Sequence, residues 1–516
     1  AIRADLKNRS KVQQNIWEAN VQGGLFDLPA GQIRAALGAS YRELDYKFDN
    51  DTLTTQGRSF NDQALGIYPS GNSTGKIQVK EAYGELLIPV LADTFINALN
   101  LELGGRVSDY NTTGTSYTYK ILGDLELTDW LRFRGGFNKA ERSPNIAELF
   151  LAPQQTFGFN NAGDLCAKGN PNPYSANNAN PNGAAVEAVC RQLMNNSGDP
   201  TADDFFYQQD ANGVYINGAG STATSGFAFP TTVGNPTLKP EEAKTWTAGV
   251  VIRSPFDSPF LSRFRLSVDW FNIRVDDAIG VQSVGVAQRQ CLQPEFNPLV
   301  TTDPVAAANT LFCRNIVRNT QNGGLGNVTV TYANNGRFEV EGVDFNLDWG
   351  MDVGPGTLNV NALVNWLRKF EIAELPVDPM VDYAGTFGTT LNGVNPGAYD
   401  YRVLATVNYS VGPARIGIQW QHLPSVEDST EALFPTPTTG APSYNIFHLN
   451  GGYALTDNVN LRFGVENLFN KAPPYTNVNT ANTQPAVDGN LPNGNYNANF
   501  YDTIGRRFYL GATFRF

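Results

Sequence analysis

Long apolar runs are missing from this 516-residue chain. No 18 consecutive apolar residues occur, which excludes a protein that crosses a bilayer by helices. Histidine is nearly absent too, with only His422 and His448. Neither has the spacing of a metal ligand, and there is no GxSxG, HExxH or phosphate-loop motif. An enzyme is not expected, nor a metal or cofactor. Basic charge is short: 37 Lys and Arg stand against 49 Asp and Glu, a formal net charge of −12. Nucleic acid, which needs a basic surface, is thereby disfavoured as a partner. Cysteine is limited to Cys166, Cys190, Cys291 and Cys313, all inside polar stretches. Of the three possible connectivities, pairing Cys166 with Cys190 and Cys291 with Cys313 closes the smallest loops. Each bridge would stabilise its loop by roughly 3 kcal/mol, and both imply an oxidising compartment. The N-terminal residues are polar and hold no signal peptide, so export has to be inferred from the rest of the chain.

What the chain has instead is alternation. In Gly505–Phe516, Phe508, Leu510, Ala512, Phe514 and Phe516 share one face of an extended strand, and Arg507, Tyr509, Gly511, Thr513 and Arg515 the other. An apolar strand face running to a chain end is hazardous in water. It fits a membrane β-barrel, with one face to lipid and one to the lumen. Mean hydropathy of −0.29 is compatible with this, because half of each strand is wet and the loops are polar. The same pattern recurs, with Trp and Tyr at the ends of the apolar stripe. It predicts about fifteen strands, near 16–28, 31–48, 76–90, 95–110, 115–128, 130–140, 243–256, 260–276, 336–351, 356–371, 399–411, 414–425, 443–455, 458–468 and 504–516. Residues 1–15 show no clear alternation and read as the tail of a loop. Connections alternate between short turns and mostly long loops, about 49–75, 141–242, 277–335, 372–398, 424–442 and 470–503, with 109–115 a short exception. The expected fold is all-β: a transmembrane antiparallel β-barrel with long extracellular loops and its C-terminus at the periplasmic side.

Four segments carry a family likeness: FNKAERSPNIAELF at 137–150, GNPTLKPEEAK at 234–244, VENLFNK at 465–471, and the strand ending at Phe516. Pro144 and Pro240 end or restart pairing, and Asn145–Phe150 is expected to form a helical turn. In this order the segments resemble TonB-dependent outer-membrane receptors over roughly residues 76–516. The resemblance implies a barrel of about 22 strands around an N-terminal plug. On that reading residues 1–516 are the C-terminal portion of the barrel. The plug, its TonB box and about seven strands would lie outside this sequence. It further implies energising by TonB–ExbB–ExbD, a bilayer and lipopolysaccharide around the wall, and a possible surface lipoprotein partner. Phe508, Leu510, Phe514 and Phe516 would be the signal read by the barrel-assembly machinery.

Loops this long are usually functional or disordered. Phe157, Phe159, Tyr174, Phe205, Phe206 and Tyr207 in the longest loop, with Gln288 and Arg289 in the next, combine ring faces with amides and charge. They are the candidate ligand contacts. Alternatively, the aromatics fold the loop on itself around its disulfide. Few bases (Lys168, Arg191) stand against Asp164, Glu187, Asp199, Asp203, Asp204 and Asp210. That balance favours an oligosaccharide or other neutral nutrient over a ferric siderophore. A passive porin or a surface scaffold are the remaining alternatives.

Overall fold

The computed structural model describes residues 5–55, 70–156, 158–160, 162–198, 201–221, 226–387, 397–429, 432, 440–474 and 500–515. Fifteen long strands form the wall: β1 Arg9–Leu28, β2 Gly31–Asp49, β3 Ser73–Ala92, β4 Ala98–Tyr110, β5 Gly114–Thr128, β6 Leu131–Arg142, β7 Glu241–Arg253, β8 Arg263–Val281, β9 Leu325–Val353, β10 Gly356–Ala373, β11 Tyr401–Val411, β12 Ala414–Leu423, β13 Tyr444–Thr456, β14 Val459–Glu466 and β15 Arg507–Phe514. Each pairs antiparallel with the next, in chain order. Among the described residues no ladder joins β1 to β15.

The register sorts the side chains as the alternation predicts. Trp349, Leu347, Phe345 and Val343 of β9 lie opposite Val360, Ala362, Val364 and Trp366 of β10 on the lipid face. Asp344 and Asp348 face the lumen opposite Asn365 and Asn361, whose amides donate to them. Aromatic belts flank the apolar band. Towards the long-loop end, Phe137 packs between Tyr119 and Trp246, with centroids at 5.9 and 4.6 Å. Towards the short-turn end, Trp349 meets Phe260 edge-on at 4.9 Å and donates its indole N–H to the Phe260 carbonyl. Gly354 and Gly412 take φ of 58° and 52° in two of the tightest turns, a conformation that strains any residue bearing a Cβ.

Two strand boundaries differ from the sequence reading. Residues 1–15 were expected to be a loop tail, yet β1 begins at Arg9, paired with Asp49. β9 begins at Leu325 and runs for 29 residues, where about ten suffice to cross a bilayer. Both extensions project beyond the hydrocarbon band, where no lipid imposes alternation. There β9 pairs with 226–233 and 316–318 of the loops, so the wall continues into the structure at its end.

Candidate ligand site at the long-loop end

The two longest connections, 143–240 and 282–324, fold into one shared core. Leu165, Val186, Val189, Met194 and Phe206 from the first pack with Val284, Ala287, Leu292, Val300 and Ile316 from the second, and with Val328 and Val330 of β9. The sequence explains the main helices. In Gly183–Asn195, Val186, Val189, Cys190, Leu193 and Met194 recur at helical spacing on the buried face. Val284–Leu292 starts where the Ser283 side chain accepts from the Val286 N–H. Disulfides Cys166–Cys190 and Cys291–Cys313 brace one loop each, with Cα atoms 5.7 and 4.7 Å apart.

Two arginines tie the loops together. Arg318 is buried and forms a bidentate pair with Asp164 at 2.9 and 2.7 Å, donates to the Gly323 carbonyl, and lies over the Phe206 ring. Arg289 forms a second bidentate pair, at 3.1 and 2.8 Å, with Asp378 of the 374–400 connection, and stacks over Tyr174. Three of the six acids counted in the longest loop, Asp164, Glu187 and Asp203, thus have basic partners. Glu187 meets Lys168 at 2.6 Å and Arg191 at 2.9 Å, and Arg191 also reaches Asp203. Burial works to raise the Glu187 carboxyl, but these two bases outweigh it and hold it below the usual carboxylate range.

The candidate contacts therefore divide. Phe206 (1% exposed), Tyr207 (5%) and Gln288 (1%) are inside the loop core. The Tyr207 hydroxyl donates to the Cys166 carbonyl, and Gln288 accepts from Leu165 N–H and donates to the Gly163 carbonyl. Arg289 and Tyr174 are engaged with each other and Asp378. Phe205 presents its ring outward, 47% exposed. Phe157 and Phe516 lie outside the described residues, and of Phe159 only the backbone is described. Phe508, Leu510 and Phe514 are exposed on the lipid face of β15. Sequence reading missed Arg318 and Asp378, because nothing local marks either.

Beneath the loops the inner wall is polar and cross-linked. Glu81 receives Arg42 at 2.8 Å and Arg106 at 3.3 Å, with Ser40 and Ser108 donating as well. Lys120 bridges Glu85 and Glu102, and Arg134 grips Asp269. Three cavities of about 390, 470 and 540 Å³ open on this inner face, within the size range of small-molecule sites.

The family segments have their own junction here. Asn145 and Glu148 cap helix Ile146–Phe150 reciprocally. Arg142 makes bidentate pairs with both Glu148 and Glu241, joining the 137–150 segment to the 234–244 segment. The family model for the TonB dependent receptor-like β-barrel matches residues 3–182 and 195–468. The chain belongs to that family. It is a family of outer-membrane β-barrel transport receptors rather than enzymes. No curated protein matches the sequence. Among solved structures, the chain is similar to the siderophore receptor PirA of Acinetobacter baumannii, at 15% identity and TM-score 0.54, over 99% of this chain and 55% of that one. A variant of the ferric enterobactin receptor PfeA of Pseudomonas aeruginosa gives 14% identity and TM-score 0.59, over 98% and 54%. A variant of the Serratia marcescens hemophore receptor HasR, in complex with its hemophore HasA and heme, gives 16% and 0.52, over 99% and 60%. At such identities the likeness establishes the fold, and the chain spans little more than half of each of those proteins.

Proposed function

We propose that this chain is the ligand-gathering wall and loop cap of a TonB-dependent uptake receptor in a bacterial outer membrane. The braced cap lies outside the cell, the C-terminus at the periplasmic rim, and TonB–ExbB–ExbD supplies the energy. A plug and further strands complete the barrel. The observation that carries this reading is the asymmetry of the ends: one has tight turns, the other a shared, disulfide-braced loop core over a polar lumen.

The ligand we favour is a ferric siderophore or similar metal chelate. Loop composition alone argued for a neutral ligand, but that argument counted acids without their partners. Asp164 and Asp378 are matched by arginines from other loops, and Glu187 and Asp203 by bases in their own. The similar solved structures are siderophore and hemophore receptors, which supports the same reading. The exposed ring of Phe205 supports an oligosaccharide as the second reading. Equilibrium binding to the purified complete receptor tests both. A ferric chelate bound at micromolar or better, with no affinity for oligosaccharides, is expected; the reverse pattern overturns the ligand assignment. Planar-bilayer conductance checks the transport class: a plugged receptor stays closed, and a steadily open pore would make this a porin.

A further inference from the structure

The connections at the long-loop end fold into two bodies, not one. The first is the core of 143–240 and 282–324, with Val328 and Val330 of β9, and it holds both disulfides. The second gathers the connections 374–400, 424–443 and 467–506. Phe387, Tyr399, Val426, Ala441 and Tyr501 pack there with Leu423, Tyr444 and Ile446 at the strand ends. Backbone pairing supports it, with 386–387 lying between 397–398 and 427–428. The Tyr399 hydroxyl donates to the Phe500 carbonyl at 3.3 Å, and Tyr444 meets Tyr501 edge-on at 5.5 Å. The two cores share no residue.

What joins the bodies is polar. Arg289 of the first makes its bidentate pair with Asp378 of the second, at 3.1 and 2.8 Å. Arg337 of β9 donates to the Asp378 carbonyl at 2.9 Å. Tyr174 of the first body backs the Arg289 guanidinium, its ring centre 4.6 Å away. The Arg289 and Asp378 side chains keep 14% and 19% exposure, so the joint is wet at its edge. The Arg318–Asp164 pair has the same chemistry in a different place: Arg318 is 1% exposed, and the pair ties two loops of one body. Units with separate apolar cores and a polar contact move against each other by default, whereas a large apolar contact would fuse them. A bidentate guanidinium–carboxylate pair fixes one relative position of the two bodies by its planar geometry. Because it is reached by water, its release does not strand a buried charge.

We propose that the two bodies are the leaves of a gate over the lumen, and that Arg289 and Asp378 are its catch. Paired, they hold the leaves together; parted, they open a way in along the line between the bodies. The inference rests on the uptake reading above and adds to it where the cap opens. The test uses the complete receptor carrying a cysteine at the luminal Asn365, N365C. Its labelling by a maleimide on polyethylene glycol, added from outside, is timed, and labelling of the receptor without N365C is subtracted. The four cysteines of this chain are all in disulfides and do not compete. In the N365C background, D378N and R289D are expected to label roughly tenfold faster, the scale on which losing charge-assisted hydrogen bonds shifts a two-state equilibrium. The charge-swapped double variant R289D/D378R should return to the slow rate. Hydrogen exchange in helix Gly183–Asn195 and in β13 should stay as in wild type, showing that both bodies remain folded. Unchanged labelling in both single variants overturns the catch, and so does a swapped variant that labels as fast as they do. Faster labelling accompanied by raised exchange in helix Gly183–Asn195 also overturns it, because the pair would then hold the first body together. None of these outcomes decides the uptake reading, which is tested separately by the bilayer conductance above.

Discussion

Arg318 connects parts of the chain that composition cannot connect. Its partner Asp164 lies in a different loop, and the pair is buried against Phe206 beside the Cys166–Cys190 bridge. Removing one member of a buried pair strands the other charge, at about 3–5 kcal/mol. Asp164 keeps some exposure, so Arg318→Ala is expected to cost about 3 kcal/mol. Hydrogen exchange in helix Gly183–Asn195 should rise by the corresponding factor, while the wall strands stay protected. Two carboxyls of the loops should respond to pH in opposite senses. Glu187 sits below the usual range, so its contribution is present at neutral pH and is lost as pH falls through its depressed folded value. Glu374 sits above the usual range, chiefly through burial and also through Asp378, with Arg289 opposing. Its ionised form disfavours the fold, so that cost appears as pH rises through the raised folded value. Glu374→Gln should therefore stabilise helix Val284–Leu292 at pH 7, with the gain vanishing as pH is lowered towards the ordinary carboxylate value. A gain that persists unchanged at low pH would assign the effect to packing.

Among the elements, the strands were legible and the loop cap was not, for one physical reason. A strand between lipid and lumen must alternate, so Val343, Phe345, Leu347 and Trp349 against Asp344, Asn346 and Asp348 announce β9 within a few residues. Where strands leave the membrane that constraint ends, and the starts at Arg9 and Leu325 were missed. Helix Ile146–Phe150 was legible because its cap is local, Asn145 to Glu148. The loop cap depends on pairings such as Arg289 with Asp378, 89 residues apart, which no window reveals. Hence Asp164, Glu187 and Asp203 looked unpaired in sequence, and three of the six candidate ligand contacts whose side chains are described, Phe206, Tyr207 and Gln288, lie in its core. The face assignment has a direct test. Val360 faces lipid and Asn361 faces the lumen beside Asp348. Arg at Val360 should cost about 2–4 kcal/mol, as a charge on the lipid face does at mid-depth. Arg at Asn361 should cost far less. Urea refolding into vesicles of defined lipid measures both, and equal costs would mean that the faces are misassigned. Serine at Cys166 should destabilise the cap by roughly 3 kcal/mol and leave the wall intact.

At the scale of the whole molecule, the two outermost strands pose the remaining question. Trp17, Val21 and Leu25 of β1 and Phe508, Leu510 and Phe514 of β15 are exposed and apolar, as lipid-facing residues are. Yet each strand has a ladder on one side only among the described residues. Unpaired backbone groups in hydrocarbon cost several kcal/mol each, so neither edge can stay open there. The fifteen strands alternate in direction, so the first and the last run the same way. Joining them directly would put a parallel pair into an otherwise antiparallel wall. An odd number of further strands between them restores alternation, and about seven would reach the 22 of plugged transporters. We therefore expect the 516-residue chain alone to associate through its edges in detergent and to lack the heat-dependent gel shift of a closed barrel. The complete receptor should show that shift as a monomer. Cysteines introduced at Val21 and Leu510 separate the cases: oxidative cross-linking within one chain would mean that β1 and β15 close on each other, and its absence in the complete receptor supports intervening strands.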